Sequence, residues 1–152
     1  MAHSLAPRFE AYRDRYRHIA LTRDDDGVLV MRFHTDGQAF VWSARAHDEI
    51  SYCCTDITGD TENRVVVMTG TGKDFCNDID AASFTLSNAR DWDHIGYEGR
   101  RLMNNLLGIE VPVIAAVNGP VRFHPEIPIM SDIVIAADTA LFQDAPHFAA
   151  GL

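Results

Sequence analysis

The stretch Val113–Pro120, which reads VIAAVNGP, decides the fold. Its apolar part, Val113–Val117, is typical of a buried strand, and Asn118-Gly119-Pro120 is strong turn chemistry. The turn therefore follows the carboxyl end of a strand. Because ligands in open α/β sheets tend to bind beyond those ends, His124 and Glu126 lie where chemistry is commonly done.

Further strands and helices alternate on both sides of this stretch. Apolar and β-branched runs predict strands, the turn Asp24–Gly27 predicts a hairpin, and apolar residues at helical spacing predict helices. The predicted strands are Ile19–Arg23, Val28–His34, Arg64–Thr69, Val113–Val117, Ile133–Ala137 and Ala140–Gln143, and the predicted helices are Pro7–His18, Ala44–Ile57 and Asp91–Ile109. Asp91 is the expected N-cap of the last helix. This alternation indicates an α/β fold.

The composition indicates one acidic globular domain. With 152 residues and 47% hydrophobic content, residues 1–152 can bury a substantial core as a single domain. The formal charge of −9 disfavours nucleic acid and anionic membranes as partners. A cytoplasmic protein is expected, since no apolar stretch approaches the roughly 20 residues of a membrane span and the amino terminus lacks the apolar centre of a secretory signal. Cys53, Cys54 and Cys76 are an odd set that fits buried thiols rather than disulfides.

Four motifs, taken in order, resemble the crotonase (enoyl-CoA hydratase/isomerase) superfamily. They are Arg64–Gly72, Phe75–Asp80, Pro112–Gly119 and Ser131–Ala136. The resemblance implies a crotonase-like ββα spiral core. It also implies a homo-oligomer, either a trimer or a dimer of trimers.

Two departures from the superfamily pattern concern the loops that would supply backbone N–H groups to a CoA thioester. Asp78 stands where a glycine is expected, and Phe123–Pro125 replaces a glycine-rich run. Proline cannot donate an N–H, and the bulkier residues crowd a backbone that must approach its substrate closely. These departures disfavour ordinary CoA-thioester chemistry.

A narrower resemblance is to the CoA-independent β-diketone hydrolases of the same superfamily. It is carried by Phe40–Ser43, Phe75–Asp80, His124–Asp132 and Phe142–Phe148. The resemblance implies hydrolysis of a carbon–carbon bond in a small cyclic diketone, a retro-Claisen reaction that yields a keto acid. No cofactor is implied.

The same resemblance assigns the site residues. His147 is the base that activates water, His124 and Trp42 hold or polarise the substrate carbonyls, and Phe84 and Leu86 line an apolar pocket. The indole N–H of tryptophan is a donor only, which suits an oxygen that becomes more negative. Without the resemblance, Trp42 fits core packing, His124 fits a loop histidine with local partners, and His147 fits a buried residue between Pro146 and Phe148.

Other titratable residues have competing interpretations. Glu126 lies where hydratases of the superfamily carry a catalytic glutamate, so an enoyl-CoA hydratase or isomerase is the alternative function, but Glu126 also fits a buried structural carboxylate. Surface or packing roles are the default for His3, His18, His34, His47 and His94. No spacing among His, Cys, Asp and Glu matches a usual zinc or calcium site, so no metal is expected.

The end of the sequence, Ala149–Leu152, leads to a further expectation. In the resembled hydrolases this position precedes an aspartate that orients the base histidine and a helical carboxyl-terminal region. The sequence is therefore expected to be the amino-terminal portion of such a domain, with Asp144 as a conceivable substitute partner for His147. A non-catalytic domain that serves oligomer contacts is the third alternative. CoA binding would favour the hydratase, and a folded protein inert to both substrate types would favour the third alternative.

Overall fold

A computed structural model describes residues 6–145. Five strands form one sheet in the order β1-β2-β4-β6-β7, in which β1 and β2 are antiparallel and every other neighbouring pair is parallel. The strands are β1 Ile19–Arg23, β2 Val28–Phe33, β4 Val65–Thr69, β6 Val113–Val117 and β7 Ile133–Ala136. A separate parallel pair joins β3, Val41–Trp42, to β5, Asp78–Ile79. The α/β prediction is confirmed.

A short helix, α1 Phe9–Tyr12, precedes β1. The helices that connect the parallel strands are α2 Ala44–Gly59, α3 Ala89–Leu107 and α4 Glu126–Ile129, with a 3₁₀ turn at Ala81–Ser83. The predicted helix Ala44–Ile57 is confirmed and extends two residues further. Its apolar side enters the core through Ile50, Cys53 and Ile57. No helix within residues 6–145 is long and apolar enough to cross a bilayer.

Two predicted elements are wrong in extent. The helix expected over Pro7–His18 covers only Phe9–Tyr12, because the backbone N–H of His18 donates to Glu49 and the chain is already turning into β1. The strand expected over Ala140–Gln143 is absent. In its place, Val121 makes an isolated bridge with Phe142, in which Val121 N–H donates to Leu141 and Gln143 N–H donates to Val121.

The start of α3 also differs from the prediction. Asn88, not Asp91, is the N-cap, since its side-chain oxygen accepts hydrogen bonds from the backbone N–H groups of Arg90 and Asp91. Asp91 instead accepts from the backbone N–H of Ser87 and from the side-chain amide of Asn88. Two of the four orphan N–H groups at this helix end are thereby satisfied by the Asn88 side chain.

The core lies on one face of the sheet. Alternate residues of each central strand are buried, including Leu29 and Met31 in β2, Val66 and Met68 in β4, and Ala115 in β6. By contrast, β7, which ends the sheet within residues 6–145, is exposed along its whole length. The three cysteines are buried and unpaired, so the thiol prediction is confirmed.

Candidate active site

The turn after β6 is fixed to the loop after β4. The side-chain oxygen of Asn118 accepts from Gly70 N–H, and its amide donates to the carbonyls of Gly72 and Asp74. Gly119 approaches the same loop so closely that a Cβ there would lie 1.8 Å from the Lys73 carbonyl oxygen. Only glycine fits such an approach, and the turn is therefore held firmly where the chain enters the segment that carries His124.

His124 leaves this turn in a strained conformation. Its φ is +55°, in the left-handed region that a non-glycine residue adopts only at a cost of about 1–2 kcal/mol. In this position its imidazole stacks on the indole of Trp42, with ring centroids 3.9 Å apart and an interplanar angle of 27°. Two predicted site residues from distant parts of the sequence are thus in direct contact.

Trp42 ends β3 immediately before α2 begins. β3 pairs with β5, and the Ser43 hydroxyl caps α2 by accepting from Ala46 N–H, so the backbone on both sides of Trp42 is fixed. The indole is 1% exposed, and its Nε1–H has no hydrogen-bond partner within residues 6–145. A buried donor left without a partner costs about 1–3 kcal/mol. Such a cost is expected where a ligand oxygen is to be bound.

Glu126 holds His124 from the other side. Its Oε1 lies 2.6 Å from His124 Nδ1. Burial acts to raise the pKa of Glu126, but the hydrogen bond and charge of His124 outweigh it and the pKa falls below the usual value. Glu126 is therefore a carboxylate near neutral pH, and it fixes the proton of His124 on Nδ1. The other nitrogen, Nε2, is then an acceptor in the neutral ring and a donor in the imidazolium.

His47 is a member of the cluster that the sequence interpretation missed. The expectation of a surface or packing residue is incomplete, because His47 lies 4% exposed at the start of α2 and contacts both site rings. Its ring centroid is 5.6 Å from that of Trp42, edge to face, and 5.9 Å from that of His124. One signal was available: His47 is three residues before Ile50 and seven before Cys54, on the apolar side of α2.

The surroundings of His47 keep its ring neutral. Burial is the main cause that lowers its pKa from 6.5 to about 4, and the neighbouring His124 acts in the same direction. Its Nδ1 is buried and has no hydrogen-bond partner in the part of the chain that the structure describes. The cluster thus combines a neutral imidazole with an imidazole held by a carboxylate.

Among the described residues, the predicted pocket residues Phe84 and Leu86 make no hydrogen bond or ring contact with this cluster. Phe84 follows the 3₁₀ turn and packs against the core, and Leu86 lies two residues further on, half-buried. Their role as pocket lining stays a prediction. His147, the predicted base, lies outside residues 6–145, and its role likewise stays a prediction.

Another polar atom near this region is buried without a partner in the described part of the chain. It is the side-chain oxygen of Asn77, which directly precedes β5, the strand that pairs with β3. Within residues 6–145, no three His, Cys, Asp or Glu side chains come together as a metal site would require. The chemistry available to the described residues is hydrogen bonding to substrate oxygens and proton transfer at imidazole nitrogens.

Known proteins resemble this chain over most of its length. The sequence profile of the enoyl-CoA hydratase/isomerase family matches residues 23–151. The chain belongs to this family. The crotonase prediction made from the four motifs is therefore confirmed, and the enzymes of this family are catalytic.

Sequence relatives include enoyl-CoA hydratases. A short-chain-enoyl-CoA hydratase of Clostridium acetobutylicum is 34% identical over 96 residues, which is 62% of this chain and 37% of that enzyme. A probable enoyl-CoA hydratase of Rhodobacter capsulatus is 31% identical over 85 residues, which is 55% of this chain and 33% of that protein.

The similar solved structures include a β-diketone hydrolase as well as enoyl-CoA hydratases. A β-diketone hydrolase from the cyanobacterium Anabaena sp. PCC 7120, bound to (S)-3-oxocyclohexyl acetic acid, superposes with a TM-score of 0.87 at 40% identity, covering 90% of this chain and 55% of that one. An enoyl-CoA hydratase/isomerase from Mycobacterium paratuberculosis reaches a TM-score of 0.79 at 25% identity, covering 91% and 56%. The chain thus spans little more than half the length of these family members.

Proposed function

We propose that this family member hydrolyses a carbon–carbon bond in a cyclic β-diketone and needs no CoA. The Anabaena β-diketone hydrolase supports this proposal, because it is 40% identical and its bound ligand is a keto acid. A keto acid of this kind is the product expected when water opens a cyclic β-diketone. The sequence motifs around Trp42, His124 and His147 support it too, since they resemble 6-oxocamphor hydrolase.

The observation that carries the proposal is the unpaired Nε1–H of Trp42 beside His124. The indole donor is buried and has no partner within residues 6–145, and the imidazole on its face is tied to a carboxylate. A diketone offers two oxygens, and the site offers a preorganised N–H and an imidazole nitrogen for them. Hydrogen-bond donors that are fixed in a site without water stabilise a developing oxyanion more strongly than donors in water do.

The proposed reaction begins with attack of water on one ketone carbon. A base removes one proton from the water, and the carbonyl oxygen becomes an oxyanion that Trp42 Nε1–H stabilises. When the tetrahedral intermediate collapses, the bond to the carbon between the two carbonyls breaks, and its electron pair forms the enolate of the second ketone. The His124 imidazolium, held by Glu126, donates from Nε2 to that enolate oxygen. Protonation at carbon completes the keto acid.

The base is proposed to be His147, in agreement with the resemblance. A neutral imidazole with a pKa near the operating pH suits the removal of a proton from water. His124 is less suited to that task, because its Nδ1 is already bound to Glu126 Oε1 at 2.6 Å. The two histidines therefore divide the work between proton removal and oxyanion binding.

The loss of ultraviolet absorbance from a cyclic β-diketone enolate tests this proposal. Trp42→Phe keeps the ring stacked on His124 but removes the N–H, so kcat/KM is expected to fall about 100-fold, as when one oxyanion donor is lost. Trp92→Phe is the matched control, because Trp92 is the other tryptophan and is 59% exposed on α3. His147→Ala is expected to abolish turnover.

Three outcomes would contradict parts of this scheme. A folded wild-type protein that never consumes the diketone would remove the proposed function. Equal turnover by Trp42→Phe and Trp92→Phe would remove Trp42 as a donor. Turnover that survives in His147→Ala would remove His147 as the base.

Enoyl-CoA hydration is the second candidate, favoured by the sequence relatives. In that reaction Glu126 would act as acid or base. Its Oε1 is already bound to His124 at 2.6 Å, and its pKa is lowered, so it is poorly suited to donate a proton. Hydration of a short enoyl-CoA, lost in Glu126→Gln, would establish this candidate instead.

A further inference from the structure

The side chain of Asn77 is polar, half-buried and unpaired at the edge of the site. Its Oδ1 is buried and accepts no hydrogen bond within residues 6–145. A buried acceptor that lacks a donor destabilises the folded state, and folded proteins rarely keep such an atom without a reason. The unpaired oxygen therefore points to a donor that is present only when the site is occupied.

Two segments of the site hold the backbone on either side of Asn77. On one side, the carbonyl of Cys76 accepts from the two backbone N–H groups that directly precede His124. On the other side, β5 begins and pairs with β3, which ends at Trp42. Asn77 therefore lies between the segment that carries His124 and the strand that carries Trp42.

The strand register places Asn77 and Trp42 on the same side of the β3–β5 pair. Trp42 lies opposite Ile79, and alternate residues of a strand point to the same side, so Asn77 shares the side of Ile79. Neighbouring strands lie about 4.8 Å apart and two residues span about 6.6 Å, so such a diagonal pair is about 8 Å apart between Cα atoms. A small ligand can contact both side chains at that separation.

The two unpaired atoms are opposite in hydrogen-bonding character. Trp42 Nε1 is a donor only, whereas Asn77 Oδ1 is an acceptor only, and both are buried without a partner in the described part of the chain. The tetrahedral intermediate of the proposed reaction carries the same two kinds of group on one carbon. Its oxyanion accepts a hydrogen bond, and its hydroxyl, which comes from water, donates one.

We propose that Asn77 orients the attacking water of this reaction. The inference rests on the proposed function. One O–H of the water points to the base, which removes that proton, and the other O–H donates to Asn77 Oδ1. A lone pair of the water oxygen then faces the ketone carbon and forms the new C–O bond, while the carbonyl π electrons move to the oxyanion at Trp42. The second O–H remains as the hydroxyl of the intermediate and then of the carboxylic acid. Asn77 neither gains nor loses a proton.

The first test is stability, which requires no substrate. Asn77→Leu replaces the amide with an apolar group of similar size, so the unpaired acceptor is removed. The urea midpoint of this variant is expected to lie at or above that of wild type. A midpoint below that of wild type would overturn the proposal, because it would show that the amide stabilises the fold.

The second test is turnover of the cyclic β-diketone. The bond to the attacking water contributes to the transition state and not to diketone binding, so Asn77→Leu is expected to lower kcat about 10-fold with KM nearly unchanged. Asn104→Leu is the matched control, since Asn104 is exposed on α3, and it is expected to keep the wild-type kcat. A raised KM with unchanged kcat would overturn the proposal.

The third test uses methanol as a nucleophile that competes with water. Methanol has one O–H, which the base requires, so its attack gives the methyl ester of the keto acid without a donor for Asn77. Asn77→Leu is therefore expected to raise the ratio of methyl ester to acid about 10-fold, because hydrolysis slows and methanolysis does not. Asn104→Leu is expected to keep the wild-type ratio. An unchanged ratio in Asn77→Leu would overturn the orienting role.

Wild-type turnover separates a failure of this inference from a failure of the proposed function. If wild type consumes the diketone and the ester ratio does not change in Asn77→Leu, only the role of Asn77 is overturned. If wild type does not consume the diketone, the proposed function fails and this role fails with it. Asn77→Ala also lacks the amide and is smaller, so it replaces Asn77→Leu if the leucine does not fit, with the same rise in the ester ratio expected.

Discussion

His124 combines a strained backbone with a functional side chain. Its φ of +55° favours glycine, and what the strain achieves is the stacking of the imidazole on Trp42. His124→Gly and His124→Ala both lose the ring and its bond to Glu126, so they differ only in the fit of the backbone. We expect the glycine variant to be more stable by about 1 kcal/mol, measured by urea unfolding.

The expected advantage of glycine over alanine at position 124 is the reverse of what is found inside a helix, where the alanine variant is the more stable one. Gly96→Ala in α3 is the matched reference, because the position is helical and a Cβ there has open space apart from the Arg100 side chain at 3.9 Å. There we expect alanine to gain up to about 1 kcal/mol. An alanine at position 124 as stable as glycine would show that the backbone relaxes when the ring is removed.

At the same scale, the sequence predicted some site residues and missed others for a physical reason. Trp42 and His124 were both predicted by resemblance as groups that hold the substrate carbonyls, and the structure stacks their rings on one another. His47 was not, because a lone histidine on an apolar helix side usually packs in the core. Its contacts come from the close approach of α2 to the loop after β6, which no local pattern in the chain specifies.

α3 shows how a helix end can be predicted to within a turn and still be assigned to the wrong residue. Asp91 and Asn88 are both good N-caps, and the choice depends on which one adopts extended dihedrals. Asn88→Ala is expected to lower the free energy of unfolding by about 1 kcal/mol, because two backbone N–H groups lose their acceptor. Urea denaturation measures the change.

Asn88→Ser is the control for this prediction. A serine hydroxyl can accept the same hydrogen bonds, so stability is expected to remain within a few tenths of a kcal/mol of wild type. An Asn88→Ala variant as stable as Asn88→Ser would mean that α3 begins later in solution, with Asp91 as its cap.

The strands and long helices were predicted well because they depend on local periodicity. β2, β4 and β6 follow β-branched or apolar runs, and α2 follows an amphipathic pattern. The segment Ala140–Gln143 has a similar run but pairs through one residue, because Val121 gives it a partner only briefly. Pairing partners are a tertiary property, which an apolar run does not encode.

For the whole molecule, buried His47 predicts a loss of stability in mild acid. Its folded pKa of about 4 lies below the ordinary 6.5, so between these values the unfolded chain binds a proton that the folded chain does not. His47 thus contributes up to about 3 kcal/mol to the free energy of unfolding. This contribution is fully present above pH 6.5 and is lost as the pH falls toward 4. Urea midpoints measured from pH 7 to 4.5 test it.

His47→Gln is the comparison for this measurement, because a neutral side chain removes the titration. We expect the variant to lose less stability than wild type over the same range. Glu98 acts in the opposite direction, since its raised pKa favours the folded state as the pH falls, whereas Glu49 and Glu126, with lowered pKa values, add to the loss at lower pH. Identical slopes for wild type and His47→Gln would show that His47 binds its proton as readily in the folded protein as in the unfolded chain.

The reactivity of the three buried cysteines depends on how often the folded domain opens. Burial raises the pKa of Cys54 to about 12 and raises the pKa values of Cys53 and Cys76 as well, so a reactive thiolate hardly forms while the domain is closed. Cys53 and Cys54 lie on α2, next to the helical turn that carries His47, and Cys76 lies on the loop tied to the segment before His124. The rate at which these sulfurs are alkylated therefore reports how often the folded domain opens locally.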